Sequence, residues 1–218
     1  MKSIQFVRGN LLDAPYPIIH GCNARGAFGR GVAGAIRKRW PPTHEAYTYA
    51  IREMGVGLGN VVWCQVYMGN KRADVLVGHC ITQASYGAKG MHVDYEALET
   101  CLKAVDGHDH PFLESTMCIA MPKIGAGLGG GDWKLIEAII ERSFKRLQPV
   151  VYILKSDESI QADRQYILQR LRDLFELTDA ETWMTSPQEL LGGLTAEQMI
   201  ERDESNQVLQ LIDDAKNC

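Results

Sequence analysis

Residues 117–133 constrain the fold of this chain most strongly, because a short apolar run there leads through a cluster of glycines into a helical pattern. Residues 117–121 predict a buried strand, Pro122 ends it, and five glycines follow between Gly125 and Gly131. Asp132 then stands at the N-cap position of an amphipathic segment over residues 133–147. Glycines let the backbone approach a ligand closely, and a helix N-terminus carries partial positive charge. We therefore expect an anion-binding loop; the alternative, a flexible connection, rarely needs so many glycines.

A second glycine-rich stretch, residues 21–34, follows a predicted strand at 16–20 and opens a predicted helix at 32–39. Further strands are predicted at 3–8, 60–68, 74–82 and 150–154, the middle two forming a hairpin. Helices are predicted from Thr43 to Gly55 and over 93–105, with a polar loop at 107–115. This alternation predicts a three-layer α/β/α domain with a mixed sheet over residues 1–156. Ligands of such sheets gather at the carboxyl ends of strands, where both glycine loops fall.

One glycine motif alone would favour a different class of enzyme. Gly125, Gly127 and Gly130 match the G-x-G-x-x-G fingerprint of dinucleotide-binding proteins. That fold needs the motif early in a βαβ unit, with an acidic residue at the end of the next strand, about 20 residues further on. Here a single strand follows, and it ends at Leu154 and Lys155. The pattern therefore argues against a dehydrogenase.

Charge and cysteine usage narrow the function further. Residues 1–154 have a net charge of +4 and residues 155–218 a net charge of −8, within a total of −4. The basic part suits a small anionic ligand, and the acidic part argues against general nucleic-acid binding. The six cysteines are isolated, which predicts free thiols with no disulfide and no metal site. With no signal peptide and no long apolar segment, we expect a cytoplasmic protein without membrane contact.

The two glycine loops together resemble the signature loops of macrodomains, which are modules that bind ADP-ribose. The resemblance lies in His20-Gly-Cys-Asn23 with the loop from Gly26 to Gly34, and in the stretch from Met121 to Trp133. It extends over residues 1–154. Within the family the chain is most similar to the branch that contains ADP-ribose-1″-phosphate phosphatases and the terminal ADP-ribose glutamate hydrolase. This resemblance implies a metal-free and cofactor-free hydrolase.

The resemblance also implies the ligand contacts. The implied ligand-binding residues are Asn10, Leu11, Asn23, Gly29, Arg30, Gly31, Val32, Gly125, Ala126, Gly127, Leu128, Gly129, Gly130 and Tyr152. Asn10 and Leu11 would recognise the adenine edge, although the family often has Asp where Asn10 stands. Tyr152 would stack on adenine, or else belong to the core. Asn23 would contact the distal ribose, and Arg30 would bind the diphosphate or remain a solvated loop residue.

The catalytic residues are the least defined part of the resemblance. The glutamate hydrolase branch uses a lysine and an aspartate, and Gln83 and Gly129 stand at these positions here, which argues against that covalent mechanism. The phosphatase branch has a histidine at the position of His20, which at the mouth of a phosphate loop could act as acid, base or nucleophile. The alternative is a strand-end histidine bonded to the backbone. Asp132 could assist, although an aspartate there is first of all a helix cap.

Two further segments surround this predicted site. Residues 85–92 suit a flap over the distal ribose, from which Lys89 or His92 could touch a terminal phosphate; solvent exposure is the alternative for both. Residues 157–218 are acidic and helical, with a Gly192-Gly193 turn before a helix that starts at Thr195. Over about 35 residues this region resembles the toxin-binding segment of Xre/MbcA/ParS antitoxins. The alternative is a small helical appendage.

The sequence therefore predicts a macrodomain over residues 1–156 and a small helical C-terminal region over 157–218. We expect binding of ADP-ribose or ADP-ribosylated molecules and hydrolysis of a terminal bond, as an ADP-ribose-1″-phosphate phosphatase or ADP-ribosyl hydrolase. The alternative is a non-catalytic reader, or an antitoxin-like protein that counters an NAD-consuming or ADP-ribosylating toxin. A protein partner would then bind the C-terminal region.

Overall fold

The computed structural model describes residues 2–67, 75–87, 90–175 and 179–216, except for the side chains of residues 174 and 175. It divides the chain into two compact units, Met1–Tyr152 and Ile153–Cys218. The division falls four residues before the boundary that the sequence predicts at residue 156. Within the described ranges, no helix is both long and apolar enough to cross a membrane.

The first unit is built on a six-stranded mixed sheet in the order β1-β6-β5-β2-β4-β3. The strands are β1 (Gln5–Arg8), β2 (Ile18–Asn23), β3 (Val61–Val66), β4 (Val75–Gln83), β5 (Cys118–Met121) and β6 (Gln148–Ile153). β2 runs parallel to both β4 and β5, β5 runs parallel to β6, and β3 is antiparallel to β4. The carboxyl ends of β2, β4 and β5 therefore lie at one edge of the sheet.

Helices cover both sides of the sheet, so the predicted three-layer fold with a mixed sheet is confirmed. The helices of this unit are α1 (Gly31–Arg39), α2 (Pro41–Arg52), α3 (Tyr95–Asp106), α4 (Pro111–Thr116) and α5 (Trp133–Ser143). On one side, Ile36 of α1 and Tyr47 of α2 join a buried cluster with Ile18 and Val77 from the strands. α3 packs against β4 and α5.

Three local predictions differ from the structure. β2 does not end at His20, because its pairing with β4 continues through Gly21 and Cys22 to a register shift at Asn23. α2 begins at Pro41, two residues before the predicted start at Thr43, since the first turn of a helix does not need the missing N–H groups of its two prolines. The predicted polar loop at 107–115 contains α4. The turn between β3 and β4 lies outside the described residues, but their antiparallel pairing confirms the predicted hairpin.

The second unit is helical, with α6 (Asp157–Phe175), α7 (Ala180–Thr185), α8 (Ala196–Glu201) and α9 (Ser205–Lys216). It has its own apolar core, to which Ile167, Met184 and Ile212 contribute. The helix predicted to start at Thr195 is present, and a capping box with Gln198 fixes its first turn. The Gly192-Gly193 turn has φ values of +67° and +82°, which favour glycine at both positions.

Candidate active site

The glycine loop after β2, residues 24–31, is called the first loop from here on because it comes first in the chain. The side chain of Asn23 at the end of β2 holds it. Asn23 Nδ2 donates to the carbonyl of Ala27 at 2.7 Å, while its Oδ1 accepts from the N–H groups of Arg25 at 3.0 Å and Ala27 at 3.2 Å. The hydroxyl of Tyr47 donates to the Asn23 carbonyl from α2. In this structure, Asn23 therefore shapes the loop, and its predicted contact with the distal ribose stays a prediction.

The N-terminus of α1 leads out of this loop without a side-chain cap. Arg30 is the N-cap residue, its side chain makes no capping hydrogen bond, and the first turn contains no acidic residue. Among the described residues, the N–H groups of Arg30, Gly31 and Val32 have no hydrogen-bond acceptor. Gly29, Arg30 and Gly31 are exposed, and Val32 is half-buried. Uncapped N–H groups at a helix N-terminus attract an anion, as predicted for a diphosphate.

The second glycine loop, residues 122–132, folds back on itself. Gly125 and Gly130 have φ values of +79° and +67°, and the N–H group of Gly131 donates to the Gly125 carbonyl at 3.0 Å. Gly130 N donates to the Gly127 carbonyl at 3.0 Å, and Ala126 N donates to the Lys123 carbonyl at 3.1 Å. The consecutive N–H groups of residues 127–129 have no acceptor within the described parts of the chain. Such a run of free donors forms a concave site for an oxyanion.

The fold brings the two loops together. A Cβ placed on Gly31 would lie 3.5 Å from Cδ1 of Leu128, so the start of α1 faces the tip of the second loop. A Cβ placed on Gly129 would lie 3.0 Å from Nε2 of Gln83, so these two residues are neighbours. Gln83 and Gly129 are the two positions at which the resemblance to the glutamate hydrolase branch implies a lysine and an aspartate. They are neighbours here, and neither side chain carries an amine or a carboxylate.

The residues predicted to bind adenine lie just after β1 and on β6. Leu11 is buried, and Tyr152 is a half-buried member of the same apolar cluster. Asn10 is exposed, and its Oδ1 accepts from the N–H group of Leu12 at 3.1 Å. Burial raises the pKa of the Tyr152 hydroxyl, with smaller contributions from Tyr16 and Cys118. The structure places Leu11 and Tyr152 together, and their contacts with adenine remain predictions.

The expected position of His20 at the mouth of a loop is corrected. Because β2 continues to Asn23, His20 lies inside the strand, and the residue is 1% exposed. Burial lowers the pKa of its imidazole to about 3, with a smaller opposing effect from the Gly21 backbone, so the ring is neutral at pH 7. A substrate could reach this ring only if the loop after β2, whose Phe28 packs against it, moved away. A catalytic role of His20 therefore stays a prediction.

Asp132, the other predicted catalytic residue, is exposed and caps α5. Its carboxylate accepts from the N–H group of Lys134 at 2.8 Å, and its own N–H group donates to the hydroxyl of Tyr95 at 2.9 Å. This is the capping role that we expected first of all for an aspartate at this position. The bond to Lys134 leaves other lone pairs of the carboxylate open, so its part in catalysis also remains untested.

His92 is closer to the second loop than the sequence suggested. The backbone N–H group of His92 donates to the Gly129 carbonyl at 2.8 Å, and Gln83 forms a β-bridge with the next residue, Val93. The His92 side chain is half-buried, and its Nε2 atom is buried without a hydrogen-bond partner in the described structure. The sequence favoured solvent exposure because nothing in the pattern of residues 85–92 indicated that the segment folds against the glycine loop. Lys89 lies outside the described residues.

Comparison with known proteins agrees with this geometry. The Macro domain family model matches residues 19–140. The ADP-ribose 1″-phosphate phosphatase of Candida glabrata is 29% identical, over 71% of this chain and 100% of its own length. The DNA ADP-ribosyl glycohydrolase of Thermus aquaticus is 27% identical, over 67% of this chain but 39% of its own length. A macrodomain protein from Streptomyces coelicolor is 29% identical in structural superposition, with a TM-score of 0.55, and the match covers 70% of this chain and 100% of that protein.

Proposed function

Because the chain belongs to the Macro domain family, we propose that it binds ADP-ribose derivatives and hydrolyses a terminal bond at their distal ribose. One observation carries this proposal: the backbone N–H groups of residues 30–32 and 127–129, which have no acceptor in the described parts of the chain, lie on two segments that approach each other where Gly31 faces Leu128. Backbone donors from two sides suit a diphosphate, because each phosphate exposes oxygens towards a different loop. The net charge of +4 over residues 1–154 favours such a ligand.

The proposed substrate class is ADP-ribose 1″-phosphate, the substrate named for the relative from Candida glabrata. In its hydrolysis a water oxygen attacks phosphorus, the bond between phosphorus and the ribose oxygen breaks, and a proton goes to the departing oxygen. The diphosphate loops would hold the nucleotide so that its 1″ end lies near Gln83 and Gly129. Neither residue can transfer the proton, so an acid or base must come from nearby.

We assign this proton transfer to His92. Its backbone N–H group is bonded to the Gly129 carbonyl, and its side chain is half-buried. Its Nε2 atom is buried and lacks a partner within the described residues, so the ring must turn towards the substrate for this nitrogen to transfer a proton. An imidazole can both donate and accept a proton, which suits both the attacking water and the leaving oxygen. His20, the candidate from the resemblance, remains the alternative and requires the first loop to open.

A binding measurement and incubations with candidate substrates test the proposal, and they separate ADP-ribose binding from hydrolysis. We expect ADP-ribose to bind, as measured by isothermal titration calorimetry, and AMP to bind much more weakly because it lacks the diphosphate. Incubation with ADP-ribose 1″-phosphate should release phosphate, whereas ADP-ribosylated DNA or protein should release ADP-ribose if a glycosidic bond is the target. Tight binding with no release from any substrate would leave a non-catalytic reader. Absence of ADP-ribose binding would refute the proposal altogether.

A second function is favoured by a groove in the C-terminal unit. An apolar cavity of about 420 Å³ is lined by residues that include Leu171, Trp183, Leu190 and Leu211. Leu190 is 77% exposed, and the chain from residue 155 onward has a net charge of −8. We infer that this groove binds a protein segment with an apolar anchor and basic flanks. Pull-down of a basic partner by wild type but not by Leu190→Asp would support this role, and equal capture by both would refute it.

A further inference from the structure

Three potential metal ligands meet on one face of the sheet in the first unit. His20 of β2 and His79 of β4 are register partners on neighbouring parallel strands, so their side chains emerge on the same face. Cys22 follows His20 by two residues and shares that face. His20 Nε2 lies 2.7 Å from His79 Nδ1, and Cys22 Sγ lies 3.7 Å from His20 Nε2 and 4.0 Å from His79 Nδ1.

The cluster is enclosed by aromatic side chains. Phe28, from the first glycine loop, packs edge-on against His20 and His79 with ring centroids 5.3 Å and 5.4 Å away. Tyr47 of α2 lies 5.7 Å from His79. Exposure is 1% for His20, 3% for Cys22 and 0% for His79, so water reaches none of the three residues to a useful extent. Groups this well buried must be satisfied by one another or by a bound ion.

Hydrogen bonding among these residues is incomplete. A single proton can lie between the two rings, which leaves the outer nitrogen of His79 to find its own partner. Burial lowers the pKa of the His79 ring and the Thr43 backbone lies close enough to raise it, yet His79 Nε2 has no hydrogen-bond partner of acceptable geometry in the described residues. One inner nitrogen donates the proton between the rings and the other accepts it, so a metal ion between the rings would replace this hydrogen bond, and the proton would move to an outer nitrogen. Neutral imidazole is the form that binds metals.

We propose that His20, Cys22 and His79 form a closed site for a soft, thiophilic cation, Cu⁺. All three donor atoms lie within 4.8 Å of one another, and among the described residues this is the group of histidine, cysteine and carboxylate ligands that could hold a metal. Metal–nitrogen and metal–sulfur bonds of about 2.0–2.3 Å require donor separations of roughly 3–4 Å. In a trigonal site the two nitrogens lie about 3.5 Å apart, so the rings must separate by about 0.8 Å from their 2.7 Å contact when the ion binds.

The net charge of the occupied site favours Cu⁺ over Zn²⁺. Binding replaces the thiol proton of Cys22, which is released, and the proton between the rings moves to an outer nitrogen, so that each ring carries one proton there. Cu⁺ with one thiolate is neutral, whereas Zn²⁺ with the same ligands leaves one positive charge in a buried site. No carboxylate from the described residues joins the cluster to compensate it. A net charge in such an environment is costly, and thiolate with two imidazoles in a trigonal arrangement suits copper.

Titration of the full chain with Cu⁺ under anaerobic reducing conditions, in competition with a chromophoric Cu⁺ chelator, tests the site. We expect one equivalent of tightly bound Cu⁺ and one released proton. X-ray absorption should show one sulfur and two nitrogen neighbours, a measurement that needs no variant. Cys22→Ser and His79→Gln should each lower Cu⁺ affinity by at least a hundred-fold, whereas Cys118→Ser, which alters a half-buried thiol elsewhere, should not.

The outcomes are separable from loss of folding. Circular dichroism and melting curves of the metal-free variants show whether each variant folds. The X-ray absorption spectrum of the copper-loaded wild type does not depend on either variant. Binding that survives Cys22→Ser in a folded protein would overturn the proposal, as would a copper spectrum with several sulfur neighbours. Preferential binding of Zn²⁺ in competition would overturn the charge argument and with it the assignment to Cu⁺.

Discussion

Replacing Gly127 with valine should remove ADP-ribose binding without harming the fold. Gly127 is exposed at the tip of the second loop, its φ lies outside the left-handed region, and a Cβ there meets no atom within 4 Å. A side chain at this position should therefore change the unfolding free energy by no more than about 0.5 kcal/mol. The same side chain would occupy the open space beside the free N–H groups of residues 127–129, where the phosphate is predicted to bind.

The expected size of the effect follows from ligand linkage. ADP-ribose at 100 times its dissociation constant stabilises the wild-type protein by about 2.7 kcal/mol. For a unit of roughly 150 residues this corresponds to a rise in melting temperature of about 5–11 °C. A hundred-fold weaker affinity in Gly127→Val would reduce the stabilisation at the same concentration to about 0.4 kcal/mol. Differential scanning fluorimetry would measure both shifts, and titration calorimetry would give the affinities.

Two further glycine variants separate ligand effects from folding effects. Gly57 also has open space and an ordinary φ, so Gly57→Val should keep the full ligand shift. Gly129→Ala should instead destabilise the unliganded protein by about 1–3 kcal/mol, because its Cβ would lie 2.5 Å from the Gly125 carbonyl oxygen. Normal ADP-ribose affinity in a folded Gly127→Val protein would refute the assignment of the second loop to the phosphates.

Three other predictions concern catalysis, stability and domain organisation. His92→Asn should lower the rate of phosphate release about a hundred-fold and change the affinity for ADP-ribose only a few-fold. An unchanged rate would contradict the assignment to His92 and favour His20, which a folded His20→Asn protein tests in the same way. Glu99 is bonded to Arg142, and this bond above all lowers the Glu99 pKa to about 2. A lowered pKa stabilises the fold fully above its ordinary value and progressively less below it, so Glu99→Gln should cost about 0.5–1 kcal/mol at pH 7, and this difference should shrink as pH falls from about 4.5 towards 2; a pH-independent difference in urea unfolding would contradict it. A chain that ends at Ser156 should bind ADP-ribose with unchanged affinity by calorimetry, and a folded truncated chain that fails to bind would show that residues 157–218 belong to the site.

Much of the fold could be predicted because local patterns decide it. Alternating or continuous apolar runs marked all six strands, and the glycine loops marked two of the strand ends that form the site edge. Errors arose where tertiary pairing overrides local signals. Gly21 reads as the start of a loop, yet pairing with Cys80 on β4 keeps it in the strand. This extension moved His20 from the predicted loop mouth into the core.

What the sequence by itself determined is the class of ligand site. Two clusters of glycine next to helix starts provide backbone donors whatever the surrounding side chains are, because the donors belong to the main chain. Tertiary structure alone decided which side chains meet there. His92 reaches Gly129 through a backbone bond across 37 residues of chain, and Gln83 lies beside Gly129 because β4 ends at the same edge as β5. His20 and His79 are 59 residues apart, and only the register of two parallel strands makes them neighbours. A side-chain cluster depends on such pairings, and no local pattern records them.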